Sequence, residues 1–465
     1  MAETTTVSAL ADAVADFNPA TLSEDVVEQT KLLILDTLGC AIAANGVDVV
    51  EGVRNIAREL GGESQATLIG GGKGSVLNAI LVNGALVRVL DLNDYKIRVD
   101  EKGALAMGGH PSDNIPVALA AGEWRGRAGK DVIGAVVLSY EIISRMQQVL
   151  DRQGHFDGSS ASGIAVSALV GHLMNLDAVA MAHAIAFGAA RCMAPHLMRR
   201  GKVSSAKSLA NALVAQSGAL SAMLAAEGAT GPISVLDHEL GIRHMFTDDA
   251  DLSILSAPFD GAKAILANHV KAYPCASTGQ AAVAAALEVN NKIKGRSREI
   301  EKINIIMADY AYVRHQQTDP GRNNPQSHAA ADHCFAFTVA VALTDGEMTP
   351  RQYENQRWFD PEICRLLERT SMGNDAALNK IAPNSFPCRI EVTLEDGARH
   401  AAEVLFPPGF SKDRLSRVDV IDKFESFTAP MIDETRLESI KALTLRLDEL
   451  ANLDELMGTL SDPIV

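Results

Sequence analysis

The feature that most constrains the fold of this chain is a change in hydrophobic periodicity after about residue 265. Before that point apolar residues recur at helical spacing, as in the first predicted helix with Val7, Leu10, Ala11, Val14 and Phe17. After it, Ile303, Ile305 and Met307 alternate with polar or exposed positions, which is typical of a β-strand. The tail at 418–460 returns to helical spacing. The chain therefore predicts helical regions on both sides of a mixed segment.

A hairpin signal marks the mixed segment. Residues 389–394 and 399–405 read as strands, and Glu395-Asp396-Gly397 between them is a strong turn sequence. We therefore predict a mainly α protein in which an α+β unit, residues 268–410, is inserted into a helical domain made of residues 1–267 and 411–465. The length of 465 residues, 47% of them hydrophobic, also favours more than one core.

Charge and cysteine usage narrow the function classes. A net charge of −16 without a long basic run disfavours nucleic-acid binding, although a local cluster of cations suits a small anion. Six scattered cysteines without a CxxC pair predict neither disulfides nor a cysteine-ligated metal. GxSxG and GxGxxG motifs are absent, and the glycines at 70–74 lack the spacing of a phosphate-binding loop. We predict no cofactor and no metal.

The apolar segments do not read as membrane spans. Residues 1–17 carry Glu3, Asp12 and Asp16 and no arginine, unlike a secretory signal or transit peptide. The stretch of lowest charge, 159–190, still contains polar and titratable residues at His172, Asn175, Asp177 and His183. It therefore predicts a buried helix pair, and the cytoplasm is the expected location.

The first candidate for chemistry combines Asp91 and Asp94 with the loop that holds His110. The two carboxylates lie three residues apart, on one face of a helix end. His110 follows two glycines and precedes a helix whose N-cap is Ser112 or Asp113. A histidine at a helix entry near carboxylates is a good acid/base candidate. The alternative is a capping loop with a structural histidine.

The second candidate is a basic cluster of Arg199, Arg200, Lys202 and Lys207, four cations within nine residues of an acidic chain. Such a cluster suits a ligand with several carboxylates. An exposed basic turn between helices is the alternative.

The third candidate is the segment 269–275, which contains Lys271 and Tyr273 and is followed by Gln280. It lies at the predicted domain boundary, where ligands usually bind. The alternative is a linker without a ligand role. His315, His328 and His333 lack a tight metal-ligand spacing and are interpreted as structural or supporting residues.

In series, these segments resemble the MmgE/PrpD family. Asn83-Gly84-Ala85, the stretch 90–94 and the stretch 110–114 are similar to its signature "NGA…LDFND…HPSDN". Lys207 matches the active-site lysine of the family, and 271–275 resembles its "K-x-YP" motif. Residues 331–333 and 339–346 resemble its "ADHS…VAVALLDG" segment. The similarity covers nearly the whole chain in order.

The resemblance implies a large all-helical domain, a smaller α+β lid domain, a homodimer and chemistry at a carbon next to a carboxylate. The family includes 2-methylcitrate dehydratase, cis-aconitate decarboxylase and iminodisuccinate epimerase. The "HPSDN" form, and Gln280 where decarboxylases tend to carry histidine, favour the dehydratase branch. Tyr95 and Phe337 also differ from the decarboxylases. At Gly158 a family histidine is absent, and His155 is the residue that would replace it.

We therefore expect a hydro-lyase that removes a proton α to a carboxylate of a small hydroxy di- or tricarboxylate and then expels water. Decarboxylase or epimerase activity, and more distantly a non-catalytic scaffold, are the alternatives. His110 is the expected acid/base with Asp94 orienting or tuning it, and His110, Tyr273 or Lys207 protonates the leaving hydroxyl. Cations stabilise the enediolate. The expected substrate-binding residues are Asp91, Ser112, Arg199, Lys271, Gln280 and His155. His110, Asp94 and Lys207 are predicted to converge in one cleft between the domains.

Overall fold

The structure is a computed structural model that describes residues 4–99, 105–107, 109–150, 156–191, 193–199, 203–259, 261–382, 384–410 and 415–464. It is 61% helical, with 19 α-helices and only small sheets in the described part of the chain. The predicted fold class, a mainly α protein with a smaller α+β region, is confirmed. Below, "helical domain" denotes residues 1–267 with 411–465, and "lid domain" denotes residues 268–410.

The first part of the helical domain has nine α-helices among its described residues. They are α1 (Thr6–Ala15), α2 (Glu24–Ala43), α3 (Asp48–Leu60), α4 (Val76–Val89), α5 (Ile115–Trp124), α6 (Gly129–Val149), α7 (Ala161–Leu173), α8 (Ala178–Arg191) and α9 (Ala206–Ala226). Short 3-10 helices join them, and two of these border the site: Pro111–Asn114 and His196–Arg199.

The described residues of the lid domain form seven further α-helices. The described C-terminal part of the helical domain adds three more. The lid helices are α10 (Gln280–Ile293), α11 (Ala311–Thr318), α12 (Pro320–Asn323), α13 (His328–Ala331), α14 (Phe335–Asp345), α15 (Pro361–Glu368) and α16 (Ala376–Asn379). The C-terminal helices are α17 (Arg417–Thr428), α18 (Glu434–Leu445) and α19 (Asp454–Ser461).

Within the described residues, nine short strands form three sheets. They are β1 (Ala66–Thr67), β2 (Lys73–Gly74), β3 (Tyr95–Val99), β4 (Leu105–Met107), β5 (Asn268–His269), β6 (Ile300–Met307), β7 (Thr370–Asn374), β8 (Cys388–Leu394) and β9 (Arg399–Val404). The lid sheet has the order β7-β6-β8-β9, with β6 and β7 parallel and the other pairs antiparallel. The β8–β9 hairpin turns at Gly397, whose φ of 83° suits glycine.

Two buried clusters account for most of the two domains. One combines residues from α2 to α9 with residues from α17 to α19, so the C-terminal helices pack on the first part of the chain. Gly39 in α2 allows this approach, because a Cβ there would lie 3.1 Å from the ring of Phe424 in α17. The other cluster consists of lid residues between 275 and 402. A third cluster packs α1 on α6, α7 and α8.

One helix of the helical domain stands out by its length and apolar composition. By length and composition α9 is capable of crossing a membrane, and the bent pair of α2 and α3 passes the same test. However, α9 packs against α4, α7 and α8, and α7 packs against α8. This is the arrangement of core helices, and it places the first turn of α9 at the centre of the molecule.

Candidate active site

Asp91 is the hub of the candidate site. Helix α4 ends at Val89, and two residues later Asp91 adopts a left-handed conformation with φ of 49°. Such backbone is unfavourable for residues other than glycine and persists where surrounding contacts hold it. Here Arg88 Nη1 donates to the Asp91 carboxylate, and Lys271 Nζ donates to Asp91 Oδ1 at 2.6 Å and to its carbonyl at 2.7 Å. These contacts fix the direction of the carboxylate.

Three further basic groups surround the same carboxylate. Lys207 Nζ lies 3.8 Å from Oδ2, His333 Nδ1 lies 3.4 Å from Oδ2 and His110 Nε2 lies 4.0 Å from Oδ1. Burial alone would raise the pKa of Asp91, but the charges of Arg88, Lys271 and Lys207 bring that pKa well below its usual value. Asp91 is therefore an anion inside a cationic cluster.

His110 is oriented by a backbone carbonyl. It lies just before the 3-10 helix Pro111–Asn114, and its Nδ1 lies 2.5 Å from the carbonyl oxygen of Asp94. A carbonyl only accepts, so Nδ1 carries the hydrogen and Nε2 keeps a lone pair. Burial, with the nearby charges of Arg88 and Lys271, holds the pKa of His110 well below its usual value. The imidazole is therefore neutral at pH 7, and Nε2 can accept a proton.

Asp94 contacts His110 through its carbonyl and not through its carboxylate. The carboxylate accepts hydrogen bonds from Ser112 Oγ at 2.5 Å, Tyr140 Oη at 3.0 Å and Asn268 Nδ2 at 2.6 Å. Burial raises the pKa of Asp94 to about 7, and the donors from Ser112 and Tyr140 oppose that rise. Of the two predicted roles of Asp94, orienting or tuning the imidazole, the structure shows an orienting contact, and it is made by the carbonyl and not by the carboxylate. Ser112 belongs to this support and not to the cavity wall.

Lys207 in the helical domain contacts two residues of the lid domain. It lies in the first turn of α9, and its Nζ is 2.8 Å from Asp332 Oδ2 and 2.8 Å from His333 Nδ1. Burial lowers the pKa of Lys207 to about 8, and the charges of Asp332 and Asp91 limit the decrease. Burial and the Lys207 charge lower the pKa of His333 to about 4. At neutral pH the cluster therefore contains a lysine cation and a neutral histidine.

Asp91, His110 and His333 border a cavity of about 320 Å³ between the two domains. Its wall includes Arg88, His110 and Arg199 from the helical domain, and Tyr312, Arg322 and His333 from the lid domain. The volume lies at the small end of the range for ligand pockets, which suits a small molecule. Its wall thus carries arginines and histidines on both sides, together with the carboxylates of Asp91, Asp113, Asp157 and Asp319.

Arg199 lines the cavity with its charge already paired. Its Nε lies 2.6 Å from Asp157 Oδ2 and its Nη2 lies 3.1 Å from Asp157 Oδ1. Burial raises the pKa of Asp157, but Arg199 and Ser159 bring it well below its usual value. The predicted Arg200 and Lys202 of the basic cluster, and His155, lie outside the described residues.

Tyr273 and Gln280 lie outside the described wall of the cavity. Gln280 Oε1 accepts from the amides of Ala272 and Tyr273, and its Nε2 donates to the carbonyl of Tyr273. Gln280 therefore holds the segment that carries Lys271. Tyr273 packs against the lid cluster, and neither residue belongs to the described wall of the cavity. Lys271 lies outside the described cavity wall and contacts the site through its hydrogen bond to Asp91.

Sequence reasoning missed several residues of the wall. Arg88, Asp157, Tyr312 and Arg322 received no role, and His333 was interpreted as structural or supporting. A signal existed for Arg88: it is the only charged residue of an apolar helix, and a buried arginine needs a partner. The remaining residues come from separate segments without a shared spacing.

A cation-binding group is present, and Lys207 occupies it. One oxygen each of Asp91 and Asp332 and one nitrogen of His333 lie within 4.8 Å of one another, which is compatible with a metal ion. The ammonium of Lys207 lies 2.8 Å from Asp332, 2.8 Å from His333 and 3.8 Å from Asp91. A metal ion there would have to displace this buried cation. The donor set is therefore already neutralised by the chain itself.

Fold and site together define a mainly α protein of two packed domains, with a buried lysine–carboxylate–histidine cluster next to a cavity between them. Sequence models of the MmgE/PrpD N-terminal domain and the MmgE/PrpD C-terminal domain match residues 8–255 and 273–449, and the chain belongs to the MmgE/PrpD family. The predicted family is thereby confirmed.

Curated relatives cover almost the whole chain. The 2-methylcitrate dehydratase of Cupriavidus necator is 26% identical over 450 residues, which cover 89% of this chain and 88% of the relative. The cis-aconitate decarboxylase of Mus musculus is 23% identical over 468 residues, which cover 96% and 91%. The cis-aconitate decarboxylase-like protein oryM of Aspergillus oryzae is 23% identical over 478 residues, which cover 96% and 95%. The relatives are lyases, which supports an enzyme of this family here.

Proposed function

We propose that this protein is a hydro-lyase that dehydrates a small hydroxy di- or tricarboxylate of the 2-methylcitrate kind without a metal ion. The observation that carries the proposal is the position of His110. A neutral imidazole whose Nδ1 is held by a carbonyl faces a cavity that arginines line from both domains. A base and cations in one cavity are what proton removal next to a carboxylate requires.

In the first step His110 Nε2 takes the proton from the carbon α to a carboxylate. The electron pair of that C–H bond moves into the carboxylate, which becomes an enediolate. Its charge needs donors that are already in place. Arg322 lies in the cavity wall with its Nη2 donating to the carbonyl of Arg199, and no described carboxylate pairs with its guanidinium. Arg322 therefore provides a charge that a substrate anion can meet.

In the second step the enediolate electrons form the carbon–carbon double bond and the β-hydroxyl leaves as water after protonation. The imidazolium formed in the first step supplies this proton and returns to the neutral state. The atoms balance without a co-reactant: one water leaves and an unsaturated acid remains. The Tyr312 hydroxyl, which also faces the cavity, is a second donor within the described wall.

Lys207 supplies the cation that a metal provides in other dehydratases. Its ammonium lies among the carboxylates of Asp91 and Asp332 and beside His333, which lines the cavity. It thus offsets the negative charge of these two carboxylates next to the substrate position. Low dielectric in a buried cluster strengthens this effect.

Decarboxylation of a cis-aconitate-type acid is the second candidate, because several relatives carry that name at 23% identity. Epimerisation of an iminodisuccinate-type acid would use the same base and cations to remove the α proton, and a second acid on the opposite face of the carbanion to return a proton there. The three reactions differ in the bond that breaks. Dehydration breaks the bond from the β carbon to the hydroxyl oxygen, decarboxylation breaks the bond to a carboxyl carbon, and epimerisation breaks only the C–H bond at the α carbon. The decision therefore depends on the group that faces His110 in the bound substrate.

Incubation of the pure protein in heavy water with 2-methylcitrate, citrate, cis-aconitate and iminodisuccinate, followed by NMR, separates these candidates. Appearance of an unsaturated acid from 2-methylcitrate or citrate supports the dehydratase. Release of carbon dioxide from cis-aconitate would support the decarboxylase and contradict our first choice. Absence of any product and of any deuterium uptake would contradict an enzyme and favour a scaffold.

A further inference from the structure

We infer that Arg88 anchors one carboxylate of the ligand, side-on through its Nε and Nη2 atoms. The inference rests on the proposed function and deepens it, since it assigns the residue that holds a substrate carboxylate. Arg88 lies in the last turn of α4 and is 1% exposed, yet it lines the cavity. Its Nη1 donates to Asp91.

The remaining donors of Arg88 lack acceptors. Among the described residues, neither Nε nor Nη2 has a hydrogen-bond partner. Asp113 Oδ2 is 3.7 Å from Nε, too far for a hydrogen bond, and Asp113 Oδ1 accepts from Asn93. Buried charged donors without an acceptor are strongly disfavoured and call for a partner. The Nε and Nη2 hydrogens of a guanidinium point in parallel and match the two oxygens of a carboxylate.

The cavity offers further donors without acceptors. The hydroxyls of Tyr310 and Tyr312 are buried, have no described partner and belong to residues that line the same cavity. A ligand that satisfies Arg88 and both tyrosines must be rich in acceptor oxygens. A polycarboxylate has this chemistry, whereas an amine or an apolar molecule does not.

Arg88 lies near the proposed base, His110. Arg88 Nη1 donates to Asp91 Oδ1, and His110 Nε2 lies 4.0 Å from that same oxygen. The guanidinium of Arg88 and the imidazole of His110 therefore both lie close to Asp91 Oδ1. A carboxylate held by the Nε and Nη2 atoms of Arg88 would therefore lie in the same cavity as His110, which also belongs to its wall.

Calorimetric titration with tricarballylate tests the inference, because this tricarboxylate has no hydroxyl to lose and its binding requires no turnover. We expect Arg88→Gln to weaken binding by about 10- to 100-fold, the usual effect of hydrogen bonds to a charged group. Arg88→Lys, which keeps the charge but loses the parallel donors, should fall between Arg88→Gln and the wild type. Arg54→Lys is the matched control, since Arg54 is another buried arginine of the helical domain outside the described cavity wall. It should bind like the wild type.

A crystal structure of the wild-type protein with tricarballylate keeps the test decisive if the Arg88 variants do not fold. A carboxylate within hydrogen-bond distance of both Nε and Nη2 supports the inference. The inference is overturned if the crystal structure shows Asp113 bonded to Arg88 and the ligand bound elsewhere. It is also overturned if the wild type does not bind tricarballylate, or if a folded Arg88→Gln variant binds it with unchanged affinity. Failure of the dehydratase proposal is a different result, because it is observed in product formation while tricarballylate still binds.

Discussion

Lys207 Nζ lies 2.8 Å from Asp332 Oδ2, and 125 positions of the chain separate the two residues. Both side chains are buried, at 2% and 1% exposure. The ion pair joins the first turn of α9 in the helical domain to the residue that follows α13 in the lid domain. Buried pairs depend on close geometry and further hydrogen bonds. A movement that separates the domains would therefore break this pair and change the charge of the site at the same time.

Replacement of His110 is the direct test of the base. We expect His110→Ala to lower turnover by about 10²- to 10⁴-fold, the usual contribution of one acid/base group. His172→Ala is the control, because the His172 ring packs against Phe17 and does not belong to the described cavity wall. Steady-state kinetics with the substrate found in the panel would measure both. Nearly full activity in His110→Ala would remove His110 from the mechanism.

The pH dependence should reveal the charge of Lys207. Its pKa of about 8, lowered by burial and supported by Asp332, means that the ammonium is present below pH 8 and is lost as the pH rises above it. We expect kcat/KM to fall about tenfold per pH unit on the alkaline side, as for loss of one proton. Lys207→Arg should move this decline to higher pH, because an arginine stays charged. An unchanged alkaline decline in Lys207→Arg would contradict the assignment.

Truncation of Lys207 is expected to affect both binding and turnover. The cation attracts the substrate carboxylates in the ground state and the growing enediolate charge more strongly in the transition state, so Lys207→Ala should raise KM and lower kcat. The variant also leaves Asp332 without its partner, so thermal unfolding must be measured beside the kinetics. A raised KM with unchanged kcat would show that Lys207 binds the ground state and the transition state equally and does not favour the enediolate.

The fold was predictable from the sequence because its main signals are local. The helical spacing of Val7, Leu10 and Val14 and the turn before Gly397 depend on neighbouring residues, and α1 and the β8–β9 hairpin form where these patterns occur. The insertion boundaries at 267/268 and 410/411 stay a prediction, although the C-terminal helices do pack with the first part of the chain.

The site was predictable only in part, because its geometry is set by tertiary packing. Asp91, His110, Lys207 and Lys271 stood out as charged groups in unusual local sequence, and the structure brings them around one carboxylate. The direction of the Asp94 carboxylate could not be foreseen, since distant donors such as Asn268 determine it. His333 has no diagnostic spacing, and only the docking of the lid domain places it beside Lys207.

Chelation should leave the activity unchanged. The donor group of Asp91, Asp332 and His333 already holds the Lys207 ammonium, which a divalent metal would have to displace. Extended dialysis against a chelator, with metal content measured before and after, should therefore give the same turnover as the untreated enzyme. Loss of activity that a single divalent metal restores would show that the site works with a metal ion.

A second buried ion pair supports the Asp91 turn from behind. Lys423 in α17 lies with its Nζ 2.5 Å from Asp36 Oδ1 in α2, and it donates to the carbonyl of Leu92 at 2.9 Å. Leu92 directly follows Asp91, so the C-terminal helices contact the hub of the site through one side chain. Burial raises the pKa of Asp36, and Lys423 opposes that rise.

We therefore expect Lys423→Met to lower the free energy of unfolding by about 3–5 kcal/mol, because it leaves the Asp36 carboxylate buried without its partner. Without Lys423 the folded-state pKa of Asp36 rises further above the unfolded value. The protonated form is then favoured in the folded state, and the loss should be smaller at pH 4 than at pH 7. The double variant Asp36→Leu/Lys423→Met should recover most of the stability, since no buried charge remains, yet turnover should stay reduced because Leu92 still lacks its donor. Urea unfolding at both pH values and steady-state kinetics separate the two effects. Wild-type stability in Lys423→Met, or full turnover in the double variant, would show that this pair neither stabilises the fold nor positions Asp91.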